Sequence, residues 1–85
     1  MDALMVDGNA IAGLLQDVFA VEMTTAILTC TSCGAREPVG ASRVFRGAAV
    51  VVRCLHCDNA LMTILKDDTR VWIGFVGVRS LEVTV

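Results

Sequence analysis

Four cysteines form two matched pairs, Cys30-x-x-Cys33 and Cys54-x-x-Cys57, and the 85-residue chain has no others. Twenty residues separate the pairs, a spacing typical of four-cysteine zinc sites. Each C-x-x-C turn brings two sulfurs to one point, and two such turns supply a tetrahedron of thiolates about 2.3 Å from the metal. The spacing therefore predicts one structural Zn²⁺ per chain, with no ligand position left open for catalysis.

The residues around the cysteines suit the tight turns that such a site requires. Gly34 follows the first pair and tolerates the positive φ that these turns often need. Asp58 and Asn59 occupy the equivalent place after the second pair, and their residue types adopt that conformation more readily than most. His56, the only histidine, lies inside the second pair. Because four thiolates already complete the ligand set, we expect His56 to face outward.

Other uses of four cysteines fit this pattern less well. Rubredoxin-type iron takes the same four thiolates, but the proline-and-glycine pattern of its turns is absent from CLHCD, the second pair. A redox-active C-x-x-C does not need a matched second pair, and disulfides are rare in the cytoplasm. Iron, disulfides and a redox pair therefore stay as alternatives to zinc.

An N-terminal helix and a series of strands are predicted to position these turns. Apolar residues recur with helical period over residues 9–19, and Asp7 or Asn9 can cap the start of this helix. We expect its apolar face to pack on the protein's own sheet, with docking on a partner as the alternative. That face consists of Ile11, Leu14, Leu15, Val18 and Phe19.

Strand-like segments separated by turn residues follow the helix. They cover residues 24–29, 44–45, 49–53, 60–66 and 70–75, with turns at 46–47 and 67–69. Leu81, Val83 and Val85 then alternate with polar residues, which is the period of a half-buried strand. The sequence thus predicts a small metal-bound α+β fold. A helical segment (residues 1–23) packs on an antiparallel β domain (residues 24–85), and the two form one structural unit.

Composition limits the location and the partners of the chain. The N-terminus lacks the basic region and cleavage site of a secretory signal, and apolar runs such as 71–78 are far shorter than the roughly 20 residues that span a bilayer. We therefore expect a cytoplasmic protein that does not associate with membranes. The net charge of −2 disfavours general nucleic-acid binding, which depends on phosphate neutralisation.

The apolar content exceeds what a small core needs. Hydrophobic residues make up 55% of the chain, against roughly 45–50% in typical domains. We expect part of this surface to contact another protein, or a second copy in a homodimer. Acidic residues concentrate in residues 1–22 and arginines between the cysteine pairs, so opposite charges could attract within one fold or between copies.

The sequence contains no set of residues typical of an enzyme active site. One histidine, no tyrosine and three scattered serines do not supply a nucleophile, a base and an orienting group. Asp67 and Asp68 lie in a polar turn, KDDTR, and we interpret them as solvated. The best surface candidate is SRVFRG at 42–47, where Arg43 and Arg46 flank Phe45. Strand alternation predicts that Phe45 faces outward. We interpret this hairpin first as solvated or simply packed, with a protein contact and, less favourably, a nucleic-acid contact as the alternatives.

Cysteine spacing and the hairpins that follow resemble zinc ribbons, a functionally mixed group. The opening MDALMVDGNAIAGLLQDVFAVEMTTA, joined to both cysteine pairs, also resembles a family of short, uncharacterised actinobacterial proteins over most of the chain. The ribbon resemblance implies the fold and implies ligation by Cys30, Cys33, Cys54 and Cys57. The closer family implies no activity.

These observations predict a zinc-binding adaptor whose partner is another protein or a second copy. A nucleic-acid-binding ribbon in transcription or translation is the first alternative, and a rubredoxin-like iron electron carrier is the second.

Overall fold

The computed structural model of the protein describes residues 5–84. These residues form one α-helix and eight strands, and the predicted α+β class is confirmed. The helix α1 is Ala12–Phe19. The strands are β1 Met5–Asp7, β2 Ile27–Cys30, β3 Arg36–Pro38, β4 Arg43–Arg46, β5 Val50–Arg53, β6 Ala60–Lys66, β7 Val71–Phe75 and β8 Val78–Glu82.

The strands form two antiparallel sheets. The larger sheet has the order β1-β4-β5-β6-β7, and the smaller has the order β3-β2-β8. Strands β4 to β7 are a simple meander, whereas β8 crosses to pair with β2 of the smaller sheet. The prediction of one sheet was therefore too simple, because the last strand leaves the meander after residues 76–77.

The helix begins where the side chain of Asp7 accepts a hydrogen bond from the N–H of Ala10. The first turn, Gly8–Ile11, is a 3-10 helix that continues into α1. The helix ends at Phe19, as predicted, since Ala20 takes a left-handed conformation and its N–H donates to the Gln16 carbonyl. Within residues 5–84 no helix is long and apolar enough to cross a membrane.

One face of the larger sheet, its inner face, packs against the helix and the smaller sheet. Val44, Val52 and Met62 are cross-strand neighbours on this face, and each is fully buried. Ile11 and Leu15 of the predicted helix face are buried in the same core. Ile11 and Leu15 thus place the apolar side of the helix in the same core as the larger sheet.

Two short strands were not predicted. Strand β1 pairs with β4, so the N-terminal segment contributes a sheet edge as well as the helix. Strand β3 consists of Arg-Glu-Pro, residue types that give no β signal, yet it pairs with β2. The final strand was predicted around Leu81, Val83 and Val85; Leu81 lies in β8, Val83 follows it, and Val85 is outside the described residues.

Two glycines provide a matched test of how tightly the N-terminal turn is packed. A Cβ on Gly8 would lie 1.8 Å from the Val39 carbonyl oxygen, so we expect Gly8→Ala to lower the free energy of unfolding by about 1–3 kcal/mol. Gly13→Ala adds the same methyl at an exposed helix position with nothing within 4 Å, and it should raise stability by about 0.5–1 kcal/mol. Urea unfolding measures both, and equal effects would contradict the described packing.

Candidate metal centre

The four cysteines lie at the ends of two hairpins. Cys30 ends β2 and Cys33 lies in the turn to β3, whereas Cys54 and Cys57 lie in the connection from β5 to β6. Because β2–β3 belongs to the smaller sheet and β5–β6 to the larger, each sheet contributes two cysteines. The site therefore joins the two sheets.

The two turns have the same hydrogen-bond pattern. In each, the N–H of the first cysteine donates to the carbonyl five residues later, and the N–H four residues later donates back to the first cysteine's carbonyl. The bonds are Cys30 N to Ala35 O (3.0 Å), Gly34 N to Cys30 O (3.0 Å), Cys54 N to Asn59 O (2.9 Å) and Asp58 N to Cys54 O (3.0 Å). The matched sequence pairs thus fold into matched turns.

The positions after each pair adopt the predicted left-handed conformation. Gly34 has φ of 75° and Asp58 has φ of 63°. Glycine takes this region at no steric cost, and Asp is among the few other residues that visit it routinely. The residue types that follow the second cysteine of each pair therefore explain how both turns close.

The four sulfurs converge on one point. The Sγ atoms of Cys30 and Cys57 are 3.6 Å apart, as are those of Cys33 and Cys54, and all four lie within 4.8 Å of one another. A tetrahedral metal with bonds of about 2.3 Å has sulfurs about 3.8 Å apart. A disulfide requires about 2.05 Å, so this spacing suits a shared metal ion and not two disulfides. The predicted ligands are therefore together.

Backbone donors stabilise negative charge on the first sulfur. The N–H of Cys33 donates to the Cys30 sulfur and is the main cause that lowers the pKa of the Cys30 thiol to about 6, against the effect of burial. The N–H of Ser32 donates to the same sulfur at 3.4 Å, and Asn59 Nδ2 lies 3.8 Å from it. Cys30 thus provides a thiolate near neutral pH.

The second sulfur of the same turn resists ionisation. The N–H of Ala35 lowers the pKa of the Cys33 thiol, but burial and the three neighbouring sulfurs outweigh it and raise that pKa to about 12. Four thiolates this close repel one another unless a cation lies between them. Metal binding at this site must therefore release protons from the thiols.

His56 faces away from the sulfurs. Its Nε2 lies 2.7 Å from Glu37 Oε1, so it links the second turn to β3, and its side chain is half exposed. The guanidinium of Arg53 donates to the Asp58 carbonyl at 3.1 Å and supports the same turn. The expectation that His56 points outward agrees with this contact.

The link from β7 to β8 also supports the site, which the sequence did not indicate. The Gly77 carbonyl accepts the N–H of Thr31 in the first turn at 2.9 Å. A Cβ on Gly77 would lie 2.6 Å from Asn59 Nδ2, beside the second turn, and 2.1 Å from the Ala60 carbonyl oxygen. Gly77 thus contacts both cysteine turns. In the sequence, the only indication of this close packing was that residue 77 is a glycine.

The predicted surface residues do not share one face. Arg43 and Phe45 lie on the outer face of the larger sheet, opposite the core, because Val44 between them is fully buried. Arg46 is exposed but projects from the inner side, since it pairs with Val50. The structure therefore brings Arg43 and Phe45 together and separates Arg46 from them.

Asp67 takes part in the turn between β6 and β7. Its Oδ1 accepts the backbone N–H groups of Thr69 (2.8 Å) and Arg70 (2.7 Å), and these bonds lower the pKa of the carboxyl. A carboxylate that accepts hydrogen bonds from the backbone two and three residues later stabilises a turn. This role agrees with the interpretation of KDDTR as a solvated connection.

Comparison with known protein families matches residues 2–85 to the model of a family of unknown function (DUF6510). No curated protein and no solved structure matches the chain. The matched residues include both hairpins and all four cysteines. The comparison therefore covers the complete candidate metal centre without adding an activity to it.

The conformation of Asp58 provides a test of the second turn. We expect Asp58→Val to lower the free energy of unfolding by about 1–2 kcal/mol, because a β-branched residue is strained at positive φ. Asp58→Gly should be tolerated within about 0.5 kcal/mol, since glycine adopts this conformation freely. Denaturant unfolding of the metal-loaded variants measures the difference. Equal loss in both variants would mean that the carboxylate, and not the backbone, matters there.

Proposed function

The chain belongs to a family of unknown function (DUF6510), and we propose that it is a zinc-stabilised module that binds another protein. The observation that carries this proposal is the closed sulfur set, which leaves no ligand position for a substrate. A metal whose four ligand positions are all filled by cysteines stabilises the fold without taking part in a reaction. The function that we propose is therefore binding through the surface of that fold.

Zinc is the metal that we propose for the site. Four thiolates in closed tetrahedral arrangement are the usual ligand set of structural zinc, although iron also accepts it. Two hairpins with a cysteine turn each also support a zinc-ribbon-like relationship, as the sequence suggested. The proposed stoichiometry is one Zn²⁺ per chain.

Exposed apolar side chains support a protein partner. Trp72, Phe75 and Val76 are 47%, 49% and 64% exposed, and Leu65 lies beside Trp72 on the outer face. Phe45 lies half-buried on the same face. Aromatic side chains beside arginine are enriched at the centre of protein interfaces. We therefore propose the outer face and the β7 edge as the binding surface.

A second candidate, nucleic-acid binding, has one specific observation in its favour. Arg43 and Arg53 are cross-strand partners on the outer face, next to Phe45. Arginines beside an aromatic ring are typical of surfaces that bind single strands. Asp7 is the partner of Arg43 on its other side, however, and the net charge is −2, so the attraction for phosphates is weak.

We also propose a cytoplasmic location and no catalytic activity for the isolated chain. The four free thiols, which suit a reducing compartment, support the first proposal. The composition of one histidine, no tyrosine and three scattered serines supports the second. Turnover that persists in protein free of contaminants would refute the second proposal.

Removal of one ligand should unfold the protein. We expect Cys54→Ser to be largely unfolded or aggregated, because structural zinc contributes on the order of 10 kcal/mol to folding in small domains. Circular dichroism reports the fold, and mass spectrometry of the native protein reports the metal. Wild-type protein should contain one zinc.

Leu55→Ser is the matched control, since it introduces the same residue beside Cys54 at an exposed position that binds no metal. It should stay folded and keep its zinc. Wild-type protein whose thermal stability is unchanged after metal removal would refute a structural metal. Bound iron, visible as a red colour, would support the electron-carrier alternative.

Cross-linking can test the binding surface. A photoreactive residue in place of Phe45 should form protein adducts in native cells, whereas the same residue in place of Val21, an exposed residue after the helix, should form few. Adducts with nucleic acid at Phe45, together with salt-sensitive retention on heparin, would favour the second candidate. No adducts above the Val21 control would contradict the proposed surface.

A further inference from the structure

Strand β7 is an exposed apolar edge of the larger sheet. It has one neighbouring strand, β6, among the described residues. Residues 71–78 carry no charge, whereas the other three edge strands contain Asp7 (β1), Arg36 and Glu37 (β3) or Arg79 and Glu82 (β8). Proteins usually protect such edges with charges, because bare edges pair with other strands. The absence of charge on β7 therefore points to a partner strand.

The free backbone groups of β7 can be identified from its pairing with β6. The N–H of Asp67 donates to the Arg70 carbonyl, which makes this pair hydrogen-bonded. Bonded and non-bonded pairs alternate in an antiparallel ladder, so Trp72 and Gly74 bond to β6. The N–H and C=O groups of Val71, Ile73 and Phe75 consequently point away from β6, along the open edge.

We infer that β7 pairs antiparallel with β7 of a second copy, about a two-fold axis at Ile73. This inference rests on the proposed function as a protein-binding module and names the partner. The axis places Ile73 opposite the partner's Ile73 and Val71 opposite the partner's Phe75. All the outward backbone groups of β7 then form bonds, and the two larger sheets become one continuous sheet.

Side chains on the outer face favour a second copy over an unrelated strand. In this register Trp72 lies opposite the partner's Gly74. Gly74 has no side chain on that face, and the Thr63 hydroxyl lies beside its backbone, 2.8 Å from the position of an added Cβ. An aromatic ring across from a glycine covers the exposed backbone of the neighbouring strand. The two-fold axis produces this contact twice, so the strand is complementary to itself.

The area is sufficient for a weak dimer. Val71, Ile73 and Phe75 project from the inner side of β7, and Trp72 projects from the outer side beside Leu65. With Val76, these side chains are 36% to 64% exposed and together expose about 500 Å². Edge pairing covers the flanks of these side chains and the open backbone, so the dimer buries less than about 1,000 Å², the size of a weak interface. We therefore expect a dissociation constant on the order of micromolar.

Sedimentation of the zinc-loaded full-length chain tests the pairing. The wild type should change from monomer to dimer as its concentration rises from low to high micromolar. Ile73→Lys should stay monomeric, because it places two ammonium groups against each other on the axis. Val21→Lys changes a side chain of similar exposure away from β7 and should dimerise like the wild type.

Trp72, the only tryptophan, identifies the surface involved. Its emission should shift to shorter wavelength as the wild type dimerises, and Ile73→Lys should abolish this shift. A wild type that remains monomeric, a dimer that persists in Ile73→Lys, or dimerisation without a change in emission would each overturn the inference. The zinc content and the Phe45 adducts are measured separately, so the proposed function can stand when the β7 pairing fails.

Discussion

Convergence of four sulfurs between two sheets is the constraint on which the rest of the structure depends. Each sheet contributes one hairpin and two cysteines, so the sulfur cluster joins two layers that also meet through a small core, the chain segments at 39–42 and 76–77, and the His56–Glu37 contact. A structural zinc site contributes on the order of 10 kcal/mol, comparable with the entire net stability of a typical domain. A zinc ion at this cluster would therefore contribute about as much as the net free energy of unfolding of the domain.

Sequence patterns predicted the features that depend on local chemistry. The cysteine spacing indicated the metal site, and the residue types at Gly34 and Asp58 indicated the left-handed turns. The helix end at Phe19 and the full extent of β6 followed from periodicity. Each of these features is determined within a few residues, which is why a single sequence is enough to find it.

Features that depend on distant pairing were missed. Strands β1 and β3 have three residues each and no β pattern, and they exist because β4 and β2 offer edges to them. The second sheet was missed because no local signal states that β8 pairs with β2. The alternation that places Phe45 outward also separates Arg46 from Arg43 and Phe45, but the sequence analysis assigned Arg46 to a turn at 46–47, whereas β4 extends to Arg46.

The exposed apolar residues on the inner side of β7, Val71, Ile73 and Phe75, follow from the small size of the helix that packs on that face. Helix α1 has eight residues and is about 12 Å long, whereas five strands span about 19 Å across the sheet. The total accessible area of 5093 Å² is near the roughly 4,900 Å² expected for a chain of this mass. The accessible area is therefore ordinary for this mass. The sheet extends beyond the helix on its inner face, which leaves Val71, Ile73 and Phe75 exposed, and Trp72 lies on the opposite, outer face.

The crossing of β8 to β2 has a consequence for the order of folding. Strands β4 to β7 pair with their immediate neighbours, whereas Ser80 donates to Thr29 across 51 residues of chain. Closing the longer loop costs more entropy, so we hypothesise that the meander forms early and the β2–β8 contact late. Substitution of Ile64 should then slow folding, and substitution of Leu81 should mainly speed unfolding. The opposite pattern of rates would show that the smaller sheet nucleates the fold.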